Sequence, residues 1–142
     1  MLSHSRALIA AALVISFSAP VMAQQSMRHY LTYFKYSDAA EKAMMENPTD
    51  DREAAARKLV EGFGGKLDVI YWTLSGEYDG FFVSEFPDDV TAMASVALVR
   101  SSLNFQREET MPILNHEEFK AAMQKAKDVR ATTAYTAPTQ TK

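Results

Sequence analysis

The sequence predicts an α+β domain, because two kinds of hydrophobic periodicity alternate along the chain. Four stretches have the alternation or the aromatic and β-branched composition of strands, and they begin near Arg28, Lys66, Phe81 and Leu103. Helical repeats fill the intervals that follow the first and third of them. The order is therefore β-α-β-β-α-β with an extra C-terminal helix, which is the ferredoxin-like arrangement.

The first strand is predicted over residues 28–36, a stretch rich in aromatic and β-branched side chains. A polar stretch around Asn47-Pro48 interrupts the helical pattern that follows, and Asp50-Asp51-Arg52-Glu53 restarts it with a cap. Gly64-Gly65 ends this helix, because glycine adopts the left-handed conformation without steric cost. The buried stripe of the helix is predicted to be Ala56, Leu59, Val60 and Phe63.

A hairpin is predicted next, with strands at residues 66–74 and 81–86 joined by the glycine-bounded turn of residues 75–80. The second strand is apolar on both predicted faces, so both should be covered. These faces are Leu67, Val69, Tyr71 and Thr73 on one side and Asp68, Ile70, Trp72 and Leu74 on the other.

The second half of the chain repeats the helix and strand signals. Asp88-Asp89 opens a helix, with acids at the favourable end of its dipole, and the fourth strand is predicted over residues 103–111. Asn115 and Glu118 form a predicted capping box for the last helix. The composition then shifts to Ala, Thr, Pro, Gln and Lys, which predicts a disordered tail over residues 128–142.

Residues 1–23 have the pattern of a secretory signal peptide. Arg6 gives a positive start, residues 7–17 form an apolar run, and Val21-Met22-Ala23 is a small-x-small cleavage pattern. The run is well short of the roughly 20 residues that cross a bilayer, which disfavours a membrane anchor. The sequence therefore predicts cleavage before Gln24 and a periplasmic or secreted protein with no membrane span.

Composition excludes several classes of function. The 119 residues that remain suit one domain, placed at residues 24–127. The mature charge is negative, with 14 Lys and Arg against 18 Asp and Glu, which argues against nucleic acid and anionic membrane as partners. The chain has no cysteine, so it has no disulfide, thiol nucleophile or thiolate metal site.

A homodimer is the expected partner arrangement. In the ferredoxin-like arrangement both helices cover one face of the sheet, and the second face of this sheet is too apolar to stay exposed. The sequence predicts that a second copy of the same sheet covers it and closes a dimeric α/β barrel.

Several motifs occur in an order that resembles the GYD domain family, over roughly residues 28–123. They are Tyr30-Leu31-Thr32-Tyr33-Phe34-Lys35-Tyr36, Ala54-Ala55-Ala56-Arg57-Lys58-Leu59, Gly64-Gly65-Lys66-Leu67, Gly76-Glu77-Tyr78-Asp79 and Phe86-Pro87-Asp88-Asp89, and residues 107–110 with Phe119 fit the family's usual ending. The resemblance implies a ferredoxin-like dimeric α/β barrel and little about activity. The export signal and the longer tail depart from the usual members of the family.

The turn carries two ionisable groups, Glu77 and Asp79, which could perform acid and base chemistry if a pocket separated their pKa values. The alternative is a structural turn in which Asp79 bonds backbone amides, Glu77 is solvated and Tyr78 packs. A Gly-x-Tyr-Asp turn is also similar to one in the effector-binding domains of leucine-responsive regulators, and this favours the structural role. Gly76 and Gly80 are turn glycines in either case.

The fourth strand places polar groups on both faces of the sheet. Gln106, Glu108 and Thr110 share one predicted face, and Phe105, Arg107 and Glu109 share the other. If Arg107 and Glu109 face the barrel, they form a buried ion pair or a carboxylate-binding site. If not, the strand is an edge made polar against aggregation.

Metal and cofactor signals are weak. Neither His29 nor His116 lies in a recognised ligand spacing, so the sequence predicts no metal site and no cofactor, with a haem ligand as a minor alternative. Ser75 lacks the Gly-x-Ser-x-Gly elbow of serine hydrolases.

Three hypotheses for function follow. The first is an exported homodimer that binds a small, partly aromatic or anionic ligand in its barrel, through Glu77, Tyr78, Asp79, Trp72, Arg107 and Glu109. The second is a cofactor-poor monooxygenase-like or isomerase-like enzyme whose catalytic candidates are Tyr78, Asp79 and Arg107. The third is a structural or subunit-interaction protein whose barrel is filled with side chains.

Overall fold

The structure, a computed structural model, describes residues 26–133, and the predicted signal peptide lies outside that range. The eight elements run in the predicted order, except that the first crossover contains two helices instead of one. They are β1 (Arg28–Tyr36), α1 (Asp38–Glu46), α2 (Arg52–Gly62), β2 (Lys66–Trp72), β3 (Gly80–Phe86), α3 (Asp89–Ser101), β4 (Phe105–Ile113) and α4 (His116–Thr132).

The four strands form one antiparallel sheet in the order β2-β3-β1-β4. The two crossovers place β1 between β3 and β4, and helices α2 and α3 pack against the same sheet face. This topology confirms the ferredoxin-like prediction.

The core lies between this face and the two helices. Alternate residues of β1 are buried, as expected for a strand with one covered face. The core cluster joins the sheet to both helices and consists of Tyr30, Val60, Leu67, Phe86 and Ala92.

Side-chain caps begin the helices where the sequence predicts them. Asp51 accepts a hydrogen bond from the Ala54 amide, and Asp88 accepts one from the Thr91 amide. Asn115 and Glu118 form a complete capping box. Each such cap contributes on the order of 1 kcal/mol, because it satisfies an amide that has no partner inside the helix.

Two strand irregularities change which residues share a face. The register of β2 shifts between Leu67 and Val69, so Leu67 is buried under the helices while Val69 lies on the opposite face. A second shift between Lys35 and Tyr36 pairs Tyr36 with Phe105, whose rings stack at 5.0 Å. Strict alternation was therefore wrong for β2 and for Phe105, because a bulge adds a residue to one strand.

The fourth strand begins and ends two residues later than predicted, and the last helix extends beyond its predicted end. Leu103 has a φ of 58°, in the left-handed region, and β4 begins two residues after it. Residues 128–132, assigned to the tail by composition, are helical instead, because Val129 extends the apolar stripe of α4. No helix within residues 26–133 is both long and apolar enough to cross a bilayer.

Candidate functional site

The sheet face opposite α2 and α3, here called the open face, carries an apolar band. Strand pairing places its residues in two rows across all four strands. Several remain well exposed in one chain, including Tyr71 at 57%. The band consists of Leu31, Val69, Val83 and Met111 in one row and Tyr33, Tyr71 and Phe81 in the next.

Charged groups flank the band at the end nearest the β2–β3 turn. Arg107 donates to Glu109 over 2.9 Å and to Glu77 over 3.3 Å, and its guanidinium carbon lies 4.9 Å from the centre of the Tyr78 ring. These four residues are called the Arg107 cluster below. Arg107 and Glu109 therefore lie on the face away from the helices, the side that a barrel would enclose.

Aromatic rings connect the Arg107 cluster to the apolar band. The Tyr33 ring lies 5.1 Å from that of Tyr78 and 6.0 Å from that of Phe81, and Phe81 lies 5.7 Å from Tyr71. Desolvation and the neighbouring Glu109 carboxylate raise the pKa of the Tyr78 hydroxyl, so Tyr78 is a neutral donor at physiological pH.

The turn itself is held by its own side chains. The Ser75 hydroxyl accepts hydrogen bonds from the amides of Glu77 and Tyr78 at 3.2 and 3.3 Å. Asp79 accepts from the Tyr36 amide at 2.7 Å, and its own amide donates to the Phe34 carbonyl at 2.9 Å. Asp79 therefore links the turn to the end of β1, and its side chain does not bond the amides of the turn as the structural alternative predicts.

Trp72 and Asp79 are separated from the Arg107 cluster. Both line a groove against α1, together with Tyr36, Met44 and Met45. Of the six predicted ligand-binding residues, the structure brings together Glu77, Tyr78, Arg107 and Glu109, and it places the other two on a different surface. Of the three predicted catalytic residues, Tyr78 and Arg107 lie close to each other. The Asp79 carboxylate instead accepts a hydrogen bond from the Tyr36 backbone amide.

The other end of the open face carries a histidine and two carboxylates. Ligand atoms of His29, Asp68 and Glu85 lie within 4.8 Å of one another, a grouping that could hold a metal ion. The Lys66 ammonium already lies 2.6 Å from Asp68 and 3.6 Å from Glu85. Lys66 therefore supplies the positive charge that a cation would bring. The second histidine within residues 26–133, His116, is exposed at the start of α4.

A cavity of about 170 Å³ lies on the helix side of the sheet, between α2, α3 and the strands. Its walls are aromatic and aliphatic except for Glu108 and Arg52. The Glu108 side chain is only 5% exposed, and its Oε2 atom has no hydrogen-bond partner among residues 26–133. The Arg100 Nε atom lies 3.6 Å from Oε2, which is close enough for an ion pair but beyond hydrogen-bonding distance.

The adjacent carboxyls Glu108 and Glu109 should affect stability with opposite pH dependence. Burial raises the pKa of Glu108, and the charge of Arg100 offsets part of this rise. The favourable contribution of Glu108 to the free energy of unfolding is therefore lost as pH rises. Tyr78 and Arg107 lower the pKa of Glu109, so its contribution is lost as pH falls. Relative to wild type, Glu108→Gln should gain stability as pH rises above the ordinary glutamate pKa of 4.5, whereas the stability deficit of Glu109→Gln should shrink as pH falls below 4.5.

Urea unfolding at several pH values measures both differences at a fixed protein concentration. Each variant serves as the control for the other, since the two residues are neighbours on opposite faces of β4. Parallel pH profiles for the two variants would contradict this assignment.

Together, the sheet order, the two covering helices and the apolar open face define a ferredoxin-like domain with one uncovered sheet face. The GYD domain family matches residues 30–123, and the chain belongs to that family. The predicted resemblance is confirmed. No curated protein sequence matches the chain. Among solved structures, it is similar to 30S ribosomal protein S6 from Thermotoga maritima, with 14% identity, a TM-score of 0.46, and coverage of 72% of this chain and 99% of that one.

Sequence reasoning did not single out two features. The His29 grouping joins three strands, so no sequence spacing could reveal it. The cavity around Glu108 had a partial signal, because Glu108 shares a strand face with Thr110 and is paired with the buried Phe34. A carboxyl at a core-facing strand position is unusual enough to mark such a site.

Proposed function

We propose that the protein is an exported homodimer that binds a small aromatic carboxylate on its open face. The observation that carries the proposal is the Arg107 cluster, a guanidinium at the end of an apolar and aromatic sheet face. Binding of a ligand, without catalysis by the protein, is the function that this arrangement supports best.

A second copy is the proposed cover for the open face. Tyr71, Val69 and Met111 are each more than a third exposed in one chain, which is costly for a contiguous apolar band. The same band on a second copy is a matching surface for a two-fold dimer. The apolar stripe of α4 also lacks cover, since no residue of that helix is buried.

The ligand class follows from the groups at the end of the band. Tyr33, Tyr78 and Phe81 offer ring faces and edges for an aromatic group. Arg107 is held firmly by Glu109, but its bond to Glu77 is longer and Glu77 is 68% exposed. A ligand carboxylate can therefore take the place of Glu77 on the guanidinium, so that Arg107 again bonds two carboxylates while Glu77 turns towards solvent.

Export is part of the proposal. Its support is the positive start, apolar run and cleavage pattern of residues 1–23. N-terminal sequencing of the protein from the exported fraction should begin at Gln24, and an intact Met1 would contradict export with cleavage.

Thermal shift with a panel of aromatic carboxylates, benzoate being the smallest, tests ligand binding. We expect a higher melting temperature for wild type and none of this shift for Arg107→Met. Glu77→Gln should bind about three- to tenfold more tightly, because it frees a donor on Arg107. Arg130→Met, a change on the exposed side of α4, is the matched control and should behave as wild type. If no aromatic carboxylate shifts the melting temperature, the proposal fails.

A further inference from the structure

We infer that the helix-side cavity is a second binding site, for one uncharged aromatic ring carrying a hydroxyl group that donates a hydrogen bond to Glu108. It lies on the opposite face of the sheet from the Arg107 cluster. It differs from the proposed function in ligand charge as well as in location.

The size of the cavity sets the size of the ligand. A cavity of about 170 Å³ is close to the roughly 150 Å³ of an engineered apolar cavity that stays dry and binds benzene. One six-membered ring with a small substituent fits this volume, and two fused aromatic rings do not. Phe34, Phe82 and Phe105 supply aromatic wall on the sheet side, while Leu59 and Val99 supply aliphatic wall on the helices.

The polarity of the cavity requires a hydrogen-bond donor. Burying a polar atom without a hydrogen bond is costly, and the cost is greater for a charged one. Glu108 Oε2 is such an atom, since its side chain is 95% buried and lines the cavity. The Arg100 Nε atom at 3.6 Å balances its charge but is too far away to donate a hydrogen bond. A hydroxyl on the ligand would satisfy it, whereas a ligand carboxylate would be repelled by it.

Arg52, the other charged residue that lines the cavity, lies on the side where the cavity opens to solvent. Arg52 is the first residue of α2, and its side chain is 38% exposed. Its terminal nitrogen bonds Asp50, but its Nε atom is buried and has no hydrogen-bond partner in the part of the chain that the structure describes. Arg52 and the exposed Ala55 therefore form the surface side of the cavity, away from the face that a second copy would cover.

The test compares phenol with toluene, which has nearly the same shape and no donor. Binding to the full chain is followed by amide NMR titration, which also locates the site. Wild type should bind phenol at least about tenfold more tightly than toluene, because the bond to a charged acceptor is strong. The shifted amides should belong to the cavity residues Ala56, Val99 and Phe105, and not to Tyr33 or Tyr71.

Two variants separate the hydrogen bond from the fit of the ring. Glu108→Leu should bind phenol and toluene within about threefold of each other, since the acceptor is gone and the apolar walls remain. If this variant does not fold, Glu108→Gln should still reduce the preference at least about threefold, because a neutral acceptor is weaker. Glu117→Gln, an exposed position on α4 outside both sites, should keep the wild-type preference.

Several results would overturn the inference: no binding of either compound, equal binding of both by wild type, or a preference that survives in Glu108→Leu. Phenol shifts confined to the open face would also overturn it. Phenol and toluene have no carboxylate, so these results do not test the bond between benzoate and Arg107, which the thermal shift of Arg107→Met tests separately.

Discussion

Leu31→Glu is expected to convert the proposed dimer to a monomer. Leu31 lies in the middle of the open face, paired with Val83 on one side and Met111 on the other. In a two-fold dimer the substitution would bury one unpaired carboxylate from each copy, and each costs several kcal/mol. We expect the dissociation constant to rise at least about 1,000-fold, measured by light scattering after size-exclusion chromatography.

The isolated fold should tolerate this change, because the open face contacts neither α2 nor α3. Circular dichroism of Leu31→Glu should therefore match that of wild type. Val90→Glu is the matched control, since Val90 is an apolar residue of α3 that is 80% exposed. It should remain dimeric. Equal masses for Leu31→Glu and wild type would show that the open face is not the interface.

Gly80→Ala should destabilise the fold by about 3 kcal/mol, the upper end of the usual cost of overpacking. A Cβ atom at Gly80 would overlap the ring of Phe34 and the backbone carbonyl of Tyr71. The Tyr71 carbonyl belongs to the backbone of the paired strand β2, so it cannot withdraw from the new Cβ atom without disturbing the sheet. Urea unfolding of the purified variant measures the loss.

Gly76→Ala is the control from the same turn. No atom lies within 4 Å of a Cβ at Gly76, and its φ is not in the left-handed region. The free energy of unfolding should therefore stay within about 0.5 kcal/mol of wild type, as at other surface positions. If the two alanine variants were equally stable, the close approach at Gly80 would not be a packing constraint.

This contrast also shows where the sequence was informative about the fold. Strand composition, helical spacing and three caps predicted the element order, because these signals are local. Gly80 was expected to serve the turn, but it is the first residue of β3 and is required by Phe34, which lies far away in sequence. Constraints set by such distant contacts cannot be found from a turn pattern.

The candidate site also combines features that the local sequence pattern predicts with features that depend on tertiary packing. Arg107 and Glu109 were predicted to share a face, and they do, because simple alternation holds between them. The separation of Trp72 and Asp79 from Arg107 depends on how α1 packs against the end of the sheet. The burial of Glu108 depends on where two helices leave a gap, and no periodicity encodes that gap.

Native mass spectrometry of the mature protein, purified gently from the exported fraction, tests the central claim most directly. The claim is that two open faces meet and enclose a ligand-binding barrel. The predicted result is the mass of two mature chains plus that of a small bound molecule, whose identity the added mass would indicate. The mass of a single chain at micromolar concentration would contradict the claim, because the barrel does not exist without the second copy.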